Sequence, residues 1–300
     1  MYLQHFGFTA TPFSLTPNTE FFFGLMPHVE ALQVLQTALQ TGEGFIKVTG
    51  EVGTGKTLIC RKLLNDLPER FHCAYLPNPY LTPDELRWAV AAELGLKYSA
   101  NIDRQQLTNL IQQQLIALSA HGHSIVLVLD EAQALPDESL EALRLFTNLE
   151  TESRKLLQVV LFAQPELDER LKLKQFRQLR QRITFSYRLR ALTQAETYAY
   201  LCHRLKIAGY RGLPLFGDND SKRIAKAARG IPRLINVLCH KSLLLAFGEG
   251  AQAVSKRHVN AAIKDTEDTQ VANRLPWRIA GVTFTALLSF GCWYWFMGAQ

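Results

Sequence analysis

Five apolar residues in a row, Ile125 to Leu129, lead directly into Asp130 and Glu131. A run that is apolar on both faces predicts a central strand of a parallel sheet. Similar segments recur: Phe45–Thr49 ends at a glycine-rich loop, Phe71–Leu76 predicts a second strand, Leu156–Phe162 a fourth ending at Gln164, and Ile183–Tyr187 a fifth. Between them the apolar positions take helical spacing over Lys56–Asp66, Pro83 to about Gly95, Asp103–Ala120 and Asp137 to about Asn148. Thr82 before Pro83-Asp84-Glu85 is an N-cap with proline at N1 and acids in the first turn. Asp137 is expected to cap the helix that it opens. Strands alternating with helices at this spacing predict a three-layer α/β sandwich with a parallel five-stranded sheet. After about Leu192 the strand signal stops. Helices are expected at 193–207, 218–229, 232–246 and 255–266, with Gly209, Gly230 and Gly248-Glu249-Gly250 between them. The expected organisation is a lead-in (1–40) packed on the core, an α/β core (41–191), a small all-helical domain (192–268) and a linker (269–278).

The C-terminal end has a different pattern. From Ile279 to Met297 no side chain is charged, and as a helix at about 1.5 Å per residue the run would span about 28 Å, close to the hydrocarbon thickness of a bilayer. Trp277 and the Trp293-Tyr294-Trp295 cluster sit at its ends, where an aromatic belt would lie. Arg274 and Arg278 precede it and no Lys or Arg follows. The expectation is a single transmembrane helix over 279–297, with everything before it cytoplasmic and the C-terminus outside. A buried core helix is the competing reading. Met1–Phe6 lacks a basic stretch followed by an apolar one, so no signal peptide is expected.

Composition adds limits. The 300 residues are 47% hydrophobic and 20% charged, which fits a chain able to bury a core and excludes disordered and fibrous classes. The net charge of +6 suits anionic partners without choosing among nucleotide, nucleic acid and phospholipid. The five cysteines form no C-x-x-C pair, so zinc-knuckle and redox motifs find no support.

The chemistry concentrates at the strand ends. Gly50-Glu51-Val52-Gly53-Thr54-Gly55-Lys56-Thr57 satisfies the P-loop pattern between a strand and a helix. Its glycines let backbone N–H groups turn inward around a polyanion, and the following helix adds its positive end. Lys56 supplies a point charge to the β- and γ-phosphates, and Thr57 a hydroxyl to magnesium. Asp130 would hold the metal and Glu131 would orient and polarise the attacking water; the plainer alternative is that both acids cap the next helix. Gln164 could bond the γ-phosphate or the lytic water, or merely open a loop before Pro165. Arg233, in Gly230-Ile231-Pro232-Arg233, could reach phosphate when a helical lid closes, or be a surface arginine. The basic run Arg170, Lys172, Lys174, Arg177, Arg180, Arg182, Arg188 and Arg190 reads as a solvated face, except that one of Arg180 or Arg182 could serve a neighbouring subunit's nucleotide as an arginine finger. Nucleic acid is not the expected partner, because no aromatic residues interleave with the charges.

Taken together in order, these features resemble the AAA+ ATPases of the ExeA/GspA group, and within it the MSHA-type pilus biogenesis members. The resemblance covers residues 1–265. It rests on Tyr2-x-x-His5-Phe6-Gly7, Pro12-Phe13-x-Leu15-Thr16-Pro17, His28-x-Glu30-Ala31-Leu32, Leu129-Asp130-Glu131-Ala132-Gln133, Gln164-Pro165-Glu166-Leu167, Leu179-Arg180-Gln181-Arg182-Ile183 and Gly230-Ile231-Pro232-Arg233. It implies Walker A at Gly50–Thr57, Walker B at Asp130 and Glu131, sensor 1 at Gln164 and sensor 2 at Arg233, with Arg182 the first choice for the finger and Arg180 the second. It also implies ATP and magnesium as cofactors, a homo-oligomeric ring, pilus or secretion assembly proteins as partners, and an inner-membrane location. By the same resemblance residues around Phe23 to His28 contact adenine. ExeA-like members carry a peptidoglycan-binding domain after the membrane helix, whereas this sequence stops three residues after Met297, so the short form is the expected match. A DNA-associated regulator of the transposition-ATPase type, or a nucleotide-gated scaffold with little turnover, are the alternatives.

Overall fold

The computed structural model describes residues 2–77, 79–99, 101–147 and 155–269. Strands β1 (Phe45–Gly50), β2 (Phe71–Leu76), β3 (Ser124–Leu129), β4 (Leu157–Ala163) and β5 (Ile183–Leu189) form one sheet in the order β2-β3-β4-β1-β5. All neighbouring pairs are parallel. Because β4 lies between β3 and β1, the segments that leave these three strands emerge side by side at one edge of the sheet. That edge of an open parallel sheet is where ligands bind.

Alternation along the central strands makes the layers. Ile125, Leu127 and Leu129 join one apolar cluster with Leu86, Ile111 and Leu143 of the flanking helices. Val126 and Val128 face the opposite cluster with Leu35, Ile59 and Leu63. Every residue of β4 is buried, whereas β5, at the edge, alternates half-buried and exposed positions up to Leu189. The predicted helices appear with small shifts at their ends, and the Thr82 cap is a full capping box with Glu85.

The helical unit comprises Gln194–Ile207, Asp218–Ala227, Pro232–Gly248 and Lys256–Lys264. Its entry is sharp. Arg229 and Gly230 both lie in the left-handed region, and a Cβ on Gly230 would come within 2.1 Å of the Leu192 carbonyl oxygen. Gly230→Ala should therefore destabilise the fold by more than about 2 kcal/mol, read as a lower thermal midpoint; an unchanged midpoint would refute this account of the turn.

Two expectations need correction. The lead-in does not pack on the core as one piece: Phe6, Phe8, Phe13, Phe21 and Leu25 share a cluster with Leu201, Leu238 and other residues of the helical unit. The helix Met26–Gln40 lies on the sheet side, through Ala31, Leu35 and Leu39, and Phe22 packs against the same cluster. Burial of these aromatic side chains against the helices removes their apolar surface from water. Asp137 is not a cap. It is the first residue of its helix, after Pro136, and its carboxylate pairs with Arg170 and accepts from Gln175 Nε2 at 2.8 Å.

Among the described residues no helix is long and apolar enough to cross a membrane. The expected membrane segment 279–297 and linker residues 270–278 lie outside the described residues.

Candidate nucleotide site

The glycine-rich loop closes over the end of β1. Gly53 and Gly55 have φ of +80° and +102°, and a Cβ on Gly53 would sit 2.6 Å from the Arg233 Cβ. Glycine is thus required both for the turn and for the close approach of the helical unit. The Arg233 N–H donates to the Gly53 carbonyl at 3.2 Å. Lys56 is 5% exposed, and its ammonium donates to the Gly50 and Glu51 carbonyls at 2.8 and 3.1 Å. Burial pulls its pKa down, opposed first by Glu131 and then by Asp130. The Thr54 hydroxyl donates to the Glu51 carbonyl at 2.8 Å and holds the loop's curve.

Asp130 and Glu131 leave β3 in different environments. Asp130 is buried, which pushes its carboxyl pKa up, opposed by the nearby Thr57 hydroxyl and by the Glu131 N–H, which donates to its Oδ1 at 3.0 Å. Glu131 takes the left-handed conformation at φ 53°, a backbone state that costs a non-glycine residue on the order of 1–2 kcal/mol. The turn aims its carboxylate across the strand ends: Oε2 accepts from Gln164 Nε2 at 3.0 Å and from Gln133 Nε2 at 2.6 Å. Gln133 Oε1 in turn accepts the Gln164 backbone N–H at 2.9 Å. Burial alone would raise the Glu131 pKa; the two amides and Lys56 outweigh it, and the carboxyl lies below its ordinary value.

Lys56, Thr57, Glu131, Gln164 and Arg233 line one cavity with Val52, Gly53 and Gly55. Asp130 sits behind Thr57. The hydroxyl of Thr57 beside a buried carboxylate is a pair of hard oxygen donors, which fits magnesium, an ion that takes few protein ligands and shares the rest with phosphate and water. Among the described residues no group of three or more His, Cys, Asp or Glu is arranged to hold a metal by itself.

The structure brings the predicted residues together with exceptions. Arg182 is half-buried, and its Nη1 donates to Thr147 Oγ1 at 3.1 Å and to the Arg144 carbonyl at 3.4 Å, while Arg180 is exposed. Neither lines the cavity. Nor is the far wall made by Phe23–His28: His28 is tucked behind the loop, where its Nε2 donates to the Thr54 carbonyl at 3.0 Å and burial depresses its pKa. Segment Ser14–Asn18, Tyr200, Arg204 and Asn236 form that wall. Gln133 also escaped the sequence reading as a site residue. Its position two residues after Glu131 was the available signal, because a turn there returns the side chain to the acid.

Residues 39–171 match the AAA domain family. The chain is 39% identical to general secretion pathway protein A of Aeromonas hydrophila over 98% of its length, spanning 54% of that relative. Among solved structures it is similar to Cdc6p from Pyrobaculum aerophilum (TM-score 0.63, 19% identity, 83% of this chain and 71% of that one). The Aeropyrum pernix ORC2 protein in ADPNP-ADP complexes gives TM-score 0.61 at 16% identity, over 85% and 73%. The Thermotoga maritima RuvB Holliday junction branch migration motor gives 0.52 at 19% identity, over 81% and 70%. At such identities the structures speak for the fold alone. Residues 39–171 thus match the AAA domain family, and the chain as a whole is similar to general secretion pathway protein A, about half of whose length it spans.

Proposed function

We propose that the chain is a membrane-tethered AAA ATPase that hydrolyses ATP with magnesium and acts as a homo-oligomeric ring in assembling a type II secretion machine or an MSHA-type pilus. The observation that carries the catalytic part is the convergence of Lys56, Thr57, Glu131, Gln164 and Arg233, from separate segments, on one cavity. The assembly role draws on the likeness to general secretion pathway protein A, and the tether on the apolar run Ile279–Met297.

In this reading the loop N–H groups and Lys56 grip the β- and γ-phosphates, Lys56 exchanging its carbonyl partners for phosphate oxygens. When bound, magnesium held by Thr57 and Asp130 supplies charge neutralisation at those oxygens. Gln133 and Gln164 hold Glu131 Oε2, which leaves Oε1 to accept a proton from the water that attacks the γ-phosphorus in line with the departing ADP. Arg233 reaches the phosphates from the helical unit. Arg180 is preferred over Arg182 as the finger, because Arg182 is tied to Thr147 and Arg144 whereas Arg180 is exposed.

Mixing two inactive variants tests the scheme. Glu131→Gln lacks the base and Arg180→Ala lacks the finger. Alone, each should hydrolyse ATP poorly. Mixed, adjacent subunits rebuild intact sites and part of the wild-type rate should return. Full activity in Arg180→Ala, or no rescue on mixing, would rule out Arg180 acting in trans.

A further inference from the structure

The cavity wall facing the glycine-rich loop carries a guanidinium that Walker chemistry does not require. Arg204, near the end of helix Gln194–Ile207, is 5% exposed. Its Nε donates to the Pro12 carbonyl at 2.6 Å and its Nη2 to the Ser14 carbonyl at 3.2 Å. The guanidinium carbon lies 4.5 Å from the Phe21 ring centroid and 5.8 Å from that of Tyr200. Among the described residues no carboxylate pairs with it. Burial lowers its pKa, yet a guanidinium keeps its proton in proteins.

A buried charge is normally paired, because leaving water without a counter-ion is costly. Two carbonyls and two aromatic faces solvate Arg204 in part and neutralise nothing. The Tyr200 hydroxyl also lies beside the guanidinium, but it is neutral. The side chain lines the same cavity as Lys56, Glu131 and Arg233. These facts call for an anion supplied from outside the chain, in a cavity already equipped for a polyphosphate.

We propose that Arg204 is a second arginine of the helical unit that binds the nucleotide's phosphates, and that these supply its missing counter-charge. The inference rests on the reading of this cavity as the nucleotide site. It also gives the lead-in a part in binding. Asn236, three positions after Arg233 on the same helix, donates from Nδ2 to the Ser14 carbonyl at 3.4 Å and accepts from the Tyr200 hydroxyl at 3.0 Å. Segment Ser14–Asn18 is thus tied to both helices that present arginines to the cavity.

The test is titration of the full chain with fluorescent ATP and ADP analogues, followed by displacement with pyrophosphate. Arg204→Gln should weaken both nucleotides at least tenfold and weaken pyrophosphate displacement by a similar factor. Arg204→Lys, which keeps the charge without the planar fork, should lose less, at least threefold, and carries the test if the glutamine variant does not fold. Nucleotide binding within twofold of wild type in a folded variant overturns the proposal. So does weaker nucleotide binding with unchanged pyrophosphate displacement, which would place the contact at the base or ribose. A Lys56→Ala control separates the two levels. If Lys56→Ala binds as wild type does, or if wild type binds nothing, the cavity reading falls and this inference with it. If only the Arg204 variants bind normally, this inference falls alone.

Discussion

Glu131→Gln is expected to keep ATP binding within about threefold of wild type and to lower turnover by about 10²–10⁴, the range for loss of a general base. The amide preserves the shape that Gln133 and Gln164 grasp and removes the proton acceptor. The pH dependence follows from the same contacts. The two amides and Lys56 hold the Glu131 pKa below its ordinary value, so the carboxylate persists below the usual glutamate range of about 4.3. Turnover should then be insensitive to this group near neutrality, with its acid limb displaced to low pH. Sign and stability agree: a depressed carboxyl pKa stabilises the fold above the unfolded value, and that contribution is lost as pH falls through the folded one. If Glu131→Gln hydrolysed ATP at the wild-type rate, Glu131 would be a structural acid and not the base.

Lys56→Ala is expected to abolish nucleotide binding at concentrations that saturate wild type, a loss of at least about 10², since it removes a charge-assisted contact to phosphate made in a buried setting. Its effect on the nucleotide-free protein runs the other way. Burial depresses the Lys56 pKa, so its charged form is a cost to the fold at neutral pH. Stability should rise as pH climbs from the folded toward the unfolded pKa, where the unfolded chain binds more protons. Removing the ammonium should leave the nucleotide-free thermal midpoint no lower than wild type, while the increment that ATP gives wild type disappears. A variant that still gains stability from ATP would take Lys56 out of the phosphate site.

The sequence makes the sheet and the loop legible because both are local. Ile125–Leu129 announces a strand buried on two faces, and the glycine spacing announces the turn after β1. The strand order follows less directly, yet it sets Gln164 between the acids and the loop. What the sequence hides is long-range. Arg204 reads as one more charge on an amphipathic helix until the lead-in folds back and presents the Pro12 and Ser14 carbonyls to it. Asp137 looks like a helix cap until Arg170, over thirty residues away in the chain, takes its carboxylate. Arg182 and Arg180 are equivalent in the basic run, and only the end of helix Asp137–Phe146 distinguishes them. The lead-in's aromatics show that they will be buried, but not against which unit.

The most direct test of the central claim, that this cavity hydrolyses ATP with Glu131 as base, is a single-turnover experiment on the full chain. ATP labelled at the γ-phosphate is bound with magnesium to wild type and to Glu131→Gln, and the bound nucleotide is quenched over time. The account predicts phosphate released in proportion to bound ATP in wild type, and label retained as ATP on an equally occupied Glu131→Gln. Equal rates of release from both proteins would contradict it.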